Sequence, residues 1–198
     1  MIPADLVVAP RIAAFLDYTA TKAGVIEIPP GSNRGPEIDA WAREFGSPLG
    51  SYWCALAVGH CRKRCGLWVP TRDVGSCDEW VKQAIAAGLW LDRAAAPPPG
   101  SAVVYTNGAV IRSGRYAGQL DAVHIGTVLR WTPVTMAWEG NTTLGKYDRN
   151  GFVLALKKVD RARVMGFILP GLVDPATAKA NALPSAAPTA APTTRKVA

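Results

Sequence analysis

The run Pro97-Pro98-Pro99-Gly100 constrains this chain more than any other feature. Three successive prolines offer no backbone N–H and fix φ, so neither a helix nor a central strand continues through them. Before the run, apolar residues recur at helical spacing, and after it come short runs rich in β-branched residues. Helices first and strands afterwards predict an α+β fold, N-terminal helices packed on an antiparallel β-sheet, rather than alternating α/β.

On the helical side, the spacing of Ile12, Phe15, Leu16 and Thr19 predicts an amphipathic helix from Pro3 to Lys22, ended by Gly24. After a loop with Pro29, Pro30, Gly31 and Gly35, Pro36 opens a second helix that carries Glu37 and Asp39 in its first turn and stops at Gly46. Ser51 reads as the N-cap of a third helix, Tyr52 to Cys65, and Ser76 as the cap of a fourth, Cys77 to Ala87. Strands are expected at Ala102–Thr106, Ala122–Arg130, Val134–Trp138, Gly151–Leu156 and Arg163–Leu169. From Pro175 onward the chain is Ala, Pro and Thr with little to bury, which predicts a disordered tail. The expected organisation is an N-terminal helix over 1–24, a body over 25–172 and a tail over 173–198.

A hydrophobic fraction of 49% supports a real core and excludes wholesale disorder. No apolar run approaches the roughly 18–20 residues of a membrane span, and Arg11 interrupts Leu6 to Phe15. The first charge is Asp5, with no basic region before the apolar residues, so no signal peptide is expected and the chain reads as cytoplasmic when synthesised. The net charge is +7, from 22 bases and 15 acids; Lys179, Arg195 and Lys196 lie in the tail, leaving 19 bases against 15 acids, +4, for the body. That balance suits an acidic polymer, but no dense basic block marks a nucleic-acid partner.

Cys54, Cys61, Cys65 and Cys77 fall in one 24-residue window without paired C-x-x-C spacing, which disfavours a disulfide scaffold and a zinc ribbon. Cys54 sits in the first turn of the predicted third helix, where the macrodipole and the unpaired N–H groups favour a thiolate nucleophile. Of the two histidines, His60 lies six positions on, about 240° around the same helix, whereas His124 sits in a strand beside small Gly126. His124 is the better base. A turn centred near residue 132 places position 124 opposite about 140, beside Glu139-Gly140-Asn141, where a carboxylate or an amide could orient the imidazole. His60, Cys61 and Cys65 lack an evident fourth ligand, so they read as buried helix residues rather than a metal site, and a Cys65–Cys77 disulfide stays open.

In order along the chain stand Gly31-Ser32-Asn33-Arg34-Gly35-Pro36-Glu37, Trp53-Cys54-Ala55, Pro99-Gly100, His124-Ile125-Gly126-Thr127-Val128 and Glu139-Gly140-Asn141. Over about residues 25–170 this set resembles the CHAP domains, cysteine amidohydrolases/peptidases of the papain-like NlpC/P60 superfamily. The resemblance implies a papain-like fold that cleaves amide bonds in bacterial peptidoglycan, as an N-acetylmuramoyl-L-alanine amidase or a peptide endopeptidase. It implies Cys54 as nucleophile, His124 as base, Glu139 as orienting group, and Asn141 as support for that network or for the oxyanion. Trp53 and Trp138 are the tryptophans expected beside the substrate. No cofactor is expected, and without a clustered Asp-x-Asp pattern no calcium or other metal. Action at the cell wall without a leader implies a holin, secretion machinery or virion components as partners.

This sequence departs from the family at Ser101, where an aspartate is common, and at Tyr52, where a proline is common. Residues 107–121 read as an inserted loop. A Cys-His-His peptidase is disfavoured because no histidine follows His124. The other alternative is a non-catalytic wall-binding or virion structural module that keeps the fold.

Overall fold

The computed structural model describes residues 4–132, 134–143 and 151–172, with side chains from Pro10 onward. The expected tail, 173–198, and Pro133 of the expected turn lie outside the described residues. The architecture is α+β. Four helices, α1 (Ala4–Thr21), α2 (Pro36–Glu44), α3 (Cys54–Arg64) and α4 (Cys77–Ala86), precede the long strands. The strands are β1 (Trp90–Asp92), β2 (Ala102–Val110), β3 (Leu120–Arg130), β4 (Met136–Thr142), β5 (Val153–Lys158) and β6 (Val164–Ile168). They form one antiparallel sheet in the order β1-β6-β2-β3-β4-β5.

β1 and the stretch 107–121 depart most from the sequence expectation. β1, only three residues long, carries no readable alternation, and lies ahead of the proline run. Residues 107–121 are not a plain inserted loop: β2 runs on to Val110 and β3 starts at Leu120, so the insertion largely lengthens a hairpin. Its outer residues on β2 are exposed, which removed the alternation that marks a half-buried strand.

Helix α3 lies against β3 and β4, α4 against β3, and α1 and α2 pack on α3. One apolar cluster joins Cys54, Ala55 and Val58 of α3 to Trp80 and Val81 of α4 and to Val104, Ile125 and Ile168 of the sheet. A second gathers Ile38 and Trp41 of α2 around Trp53, Leu56 and Leu154. The far end of α3 is tied down by Arg62, which is fully buried. Its Nη2 donates to the carbonyls of Ile168 (2.9 Å) and Gly100 (3.2 Å), and Nη1 reaches those of Trp68 and Leu169 at 3.4 Å each. The Ile168 and Leu169 carbonyls lie at the end of β6 and that of Gly100 closes the proline run, so one guanidinium gathers acceptors from separate stretches of the chain.

The edge at β5 is covered by the chain itself. Leu154 N–H donates to the Val25 carbonyl, Gly24 N–H to Leu154 and Glu27 N–H to Phe152, with Ile26 bridging Val153.

The β2–β3 hairpin tip is fastened to α4 through Glu79, which is fully buried. Its carboxylate accepts from Arg72 Nε (2.8 Å), Gln83 Nε2 (2.8 Å), Arg115 Nη2 (2.6 Å) and the Tyr116 hydroxyl (2.5 Å). Burial opposes the charge, but the donors outweigh it and hold Glu79 down to about 2. A depressed carboxylate stabilises the fold above its unfolded pKa of about 4.3, and that contribution fades as pH falls toward the folded value. Glu79→Ala is therefore expected to cost about 2–3 kcal/mol near neutral pH, in urea unfolding. The deficit relative to the parent chain should shrink as pH falls from about 4 toward 2.

Candidate active site

Cys54 is the first residue of α3, preceded by Trp53 at the N-cap position, so the helix begins two residues later than Tyr52 and Ser51 does not cap it. This places the thiol directly at the positive end of the helix. Its Sγ lies 3.9 Å from that of Cys77, and His124 and the backbone of Ile125 act on it as well. The thiol titrates well below the ordinary cysteine range. The Cys77 hydrogen bond lowers it most, burial works against it, and the charge of His124 lowers it further.

His124 lies on β3 beside an irregularity. Tyr105 pairs with His124 but Thr106 pairs with Ala122, which leaves Val123 as an extra residue. Such bulges bend a strand and re-aim its side chains. The imidazole Nε2 lies 3.4 Å from Glu139 Oε2, and the ring sits 5.7 Å from that of Tyr105. The Tyr105 hydroxyl donates to Glu139 Oε1 at 2.5 Å. Burial opposes a charged imidazole, yet the Cys54 sulfur and the Glu139 carboxylate outweigh it and raise His124 to about 10. Burial would likewise raise Glu139, but His124 and the Tyr105 hydroxyl hold it below the usual carboxylate range.

The strand register decides which polar side chain stands beside His124. Gly126 pairs with Glu139, one residue away from the expected register, with a shift between Val128 and Arg130. A one-residue shift exchanges faces. Opposite position 140, His124 would share its face with Gly140; in the observed register Glu139 lies on that face, diagonal to the imidazole. Gly126 is needed for the crossing, since a Cβ there would stand 2.9 Å from Glu139 Cγ and 2.9 Å from the Trp138 carbonyl.

Asn141 is carried elsewhere. The β4–β5 register shifts between Glu139 and Thr142, and Asn141 adopts φ +53° within it. Asparagine tolerates this left-handed conformation better than most residues. Its Nδ2 donates to Glu27 Oε1 (3.1 Å) and to Asn33 Oδ1 (2.6 Å), not to His124. Glu27 Oε1 also accepts from Trp53 Nε1 at 2.9 Å. Buried Glu27 thus links the residue before the nucleophile to the strand that bears the orienting carboxylate.

The two tryptophans expected beside the substrate turn toward the core, Trp53 entirely and half-buried Trp138 in part. Trp53 is wholly buried, its indole committed to Glu27, and Trp138 packs into the same cluster with Trp41 and Leu56. Gly140 makes room for this packing, because a Cβ there would approach Trp53 to 2.8 Å and Ala57 to 3.1 Å. His60 is engaged elsewhere, with Nε2 2.9 Å from the Tyr18 hydroxyl and Nδ1 2.6 Å from Glu44. Arg34 forms a bidentate pair with Asp39, at 2.7 and 2.8 Å, fixing the loop before α2. Among the described residues no group of three or more His, Cys, Asp or Glu side chains could hold a metal ion.

Three residues of the site were not anticipated: Cys77, Tyr105 and Glu27. Cys77 meets Cys54 rather than Cys65, the partner the sequence left open for it. The available signal was position, since Cys77 follows the Ser76 cap as the first residue of α4, just as Cys54 opens α3. None of the four cysteines is disulfide-bonded, and Cys65 packs near Phe15 and Leu67, away from Cys77. An open depression of about 240 Å³ lies by the starts of α3 and α4, lined by residues that include Ser47, Ser51, Asp73 and Ser76.

No protein-family model, curated protein or solved structure matches this chain.

Burial pushes Cys61 up to about 12 and Cys65 up to about 11, in contrast to Cys54. Iodoacetamide at neutral pH should therefore alkylate Cys54 well before either of them, as read by peptide mass spectrometry. His124→Ala should slow that reaction by at least about tenfold, because it removes the cation that favours the thiolate.

Proposed function

We propose that this chain is a cysteine-dependent hydrolase of amide bonds in bacterial peptidoglycan, of the CHAP, papain-like type. The observation that carries the reading is the buried chain Cys54–His124–Glu139, with the sulfur at the first residue of a helix and the imidazole between thiol and carboxylate. A helix that begins at Cys54 and packs on an antiparallel sheet bearing His124 is consistent with a papain-like arrangement and supports this reading. The peptidoglycan substrate class rests on the sequence motifs, and the basic balance of the chain suits an anionic wall.

The chemistry follows from the charges. The Cys54 thiolate attacks the amide carbonyl carbon, and the carbonyl oxygen takes up negative charge. The first N–H groups of α3, Cys54's own included, have no acceptor within the helix, so they are natural donors to that oxyanion. His124, held as imidazolium, protonates the departing amine as the C–N bond breaks, leaving a thioester on Cys54. The neutral imidazole then takes a proton from water, which attacks the thioester and releases the carboxylate product. Glu139 orients the ring and stabilises its cationic form, while the Tyr105 hydroxyl holds the carboxylate.

Purified sacculi incubated with the protein should lose turbidity, and Cys54→Ala and His124→Ala should each reduce the rate by at least about 10³-fold. Lysis by Cys54→Ala at the parent rate would remove this reading. Mass spectrometry of digested muropeptides would then show a new amine terminus at the stem's amide linkage to muramic acid or within the peptide.

Glu139→Gln supplies a second test. Its carboxylate raises His124, so removing the charge lowers the imidazole pKa from about 10. The alkaline limb of kcat/KM should move to lower pH, and the acid limb to higher pH as the thiolate loses the support of the imidazolium.

A further inference from the structure

The mechanism above uses one sulfur, but the fold brings two together. Cys54 and Cys77 each begin a helix, are separated by 23 positions in sequence, and place their Sγ atoms 3.9 Å apart. Both side chains are buried, with 4% and 8% of their surface exposed, so this contact is part of the packed interface between α3, α4 and β3. A disulfide requires about 2.05 Å between sulfurs, so the two atoms need to approach by roughly 1.9 Å. Cys61 and Cys65 cannot compete, because they lie in the cluster with Phe15 and Leu67.

We propose that Cys77 is the resolving thiol of Cys54: a hydroperoxide oxidises Cys54, and Cys77 closes a reversible Cys54–Cys77 disulfide that protects the nucleophile from over-oxidation. In the first step the Cys54 thiolate attacks the terminal oxygen of the hydroperoxide, the O–O bond breaks, and a sulfenic acid forms. The alkoxide, or hydroxide from hydrogen peroxide, leaves and takes a proton from solvent. In the second step Cys77 sulfur attacks the sulfenic sulfur, and the thiol proton leaves with the displaced hydroxide as water. Two thiols have been oxidised by two electrons and one peroxide reduced. A dithiol reverses the bond by exchange and is itself oxidised to a disulfide.

The same features that suit Cys54 to attack a carbonyl suit it to attack peroxide, since the thiolate is the reactive form in both. Without a second sulfur in reach, a sulfenic acid goes on to sulfinic and sulfonic acids, which a dithiol does not reduce. Cys77 therefore has a role that a serine or alanine in the same packing could not fill. Bond formation does not depend on what the protein hydrolyses; only the accompanying loss of activity rests on the function proposed above.

The test treats the reduced full-length protein with about one equivalent of hydrogen peroxide, blocks remaining thiols, and maps peptides without reduction. The expected product is a Cys54–Cys77 linked peptide pair, two hydrogens lighter than its parts. Wall-lytic activity should fall by about tenfold or more and return to within about twofold of the start with dithiothreitol. Given about five equivalents, since the sulfinic and sulfonic acids consume two and three peroxides per thiol, Cys77→Ser and Cys77→Ala should both give Cys54 sulfinic and sulfonic acids with no recovery on reduction, while the parent chain still gives the disulfide. A parent chain in which Cys54 over-oxidises while Cys77 remains alkylatable would overturn the proposal, as would a linkage of Cys54 to Cys65. Because the readout is the mass of the cysteine peptides, it is decided even if sacculi prove not to be the substrate.

Discussion

The start of α3 is pressed against β3 and β4, and most of what is functional in this molecule depends on that contact. Two glycines permit it. Gly140 leaves the space that Trp53 and Ala57 occupy, and Gly126 leaves the path by which Glu139 reaches His124. At the other end of the same helix, Arg62 ties α3 to carbonyls at the end of β6 and at Gly100. The helix is thus held at both ends by interactions of different kinds, apolar contact at the nucleophile and hydrogen bonding at the far turn. Bulk at either glycine would displace the sulfur from the imidazole without touching a reacting atom.

Burial sets the electrostatic character of the site. Each of Cys54, His124 and Glu139 is nearly removed from water, and burial alone would favour the neutral form of all three. The charged forms are favoured because each group finds its complement in the next: the thiol with the imidazole, the imidazole with the carboxylate, the carboxylate with the Tyr105 hydroxyl. The same principle at Glu79 serves a different end. There the partners Arg72 and Arg115 are substantially exposed, and the carboxylate fastens a hairpin instead of activating a sulfur.

Much of this was legible in the sequence where the signal was local. The helix starts at Pro36 and Cys77 followed from proline and serine chemistry, and Cys54 and His124 stood out because a nucleophile at a helix start needs a base and only two histidines exist. Glu139 and Asn141 could not be separated by spacing, because the choice turns on one residue of strand register and on a bulge at Asn141. The sequence adjacency of Trp53 to Cys54 suggested a groove residue, yet adjacent positions at a helix start point in different directions, and the indole turns inward to Glu27. Cys77, Tyr105 and Glu27 reach the site only through tertiary approach. No local pattern records which face of α4 or which rung of β2 will meet them.

The strap over the edge of β5 links architecture to activity in a further way. Sheet edges are where foreign strands add and where assembly into larger β-structures begins. Here an incoming strand at the first half of β5 would have to displace residues 24–27, which already occupy its hydrogen bonds. Those residues carry Glu27, and with it the anchor of Trp53 and Asn141. Recruitment of another chain at this edge would therefore release the anchor of Trp53 and Asn141 beside the proposed active site in the same step, so that misassembly at this edge and disturbance of that site become a single event.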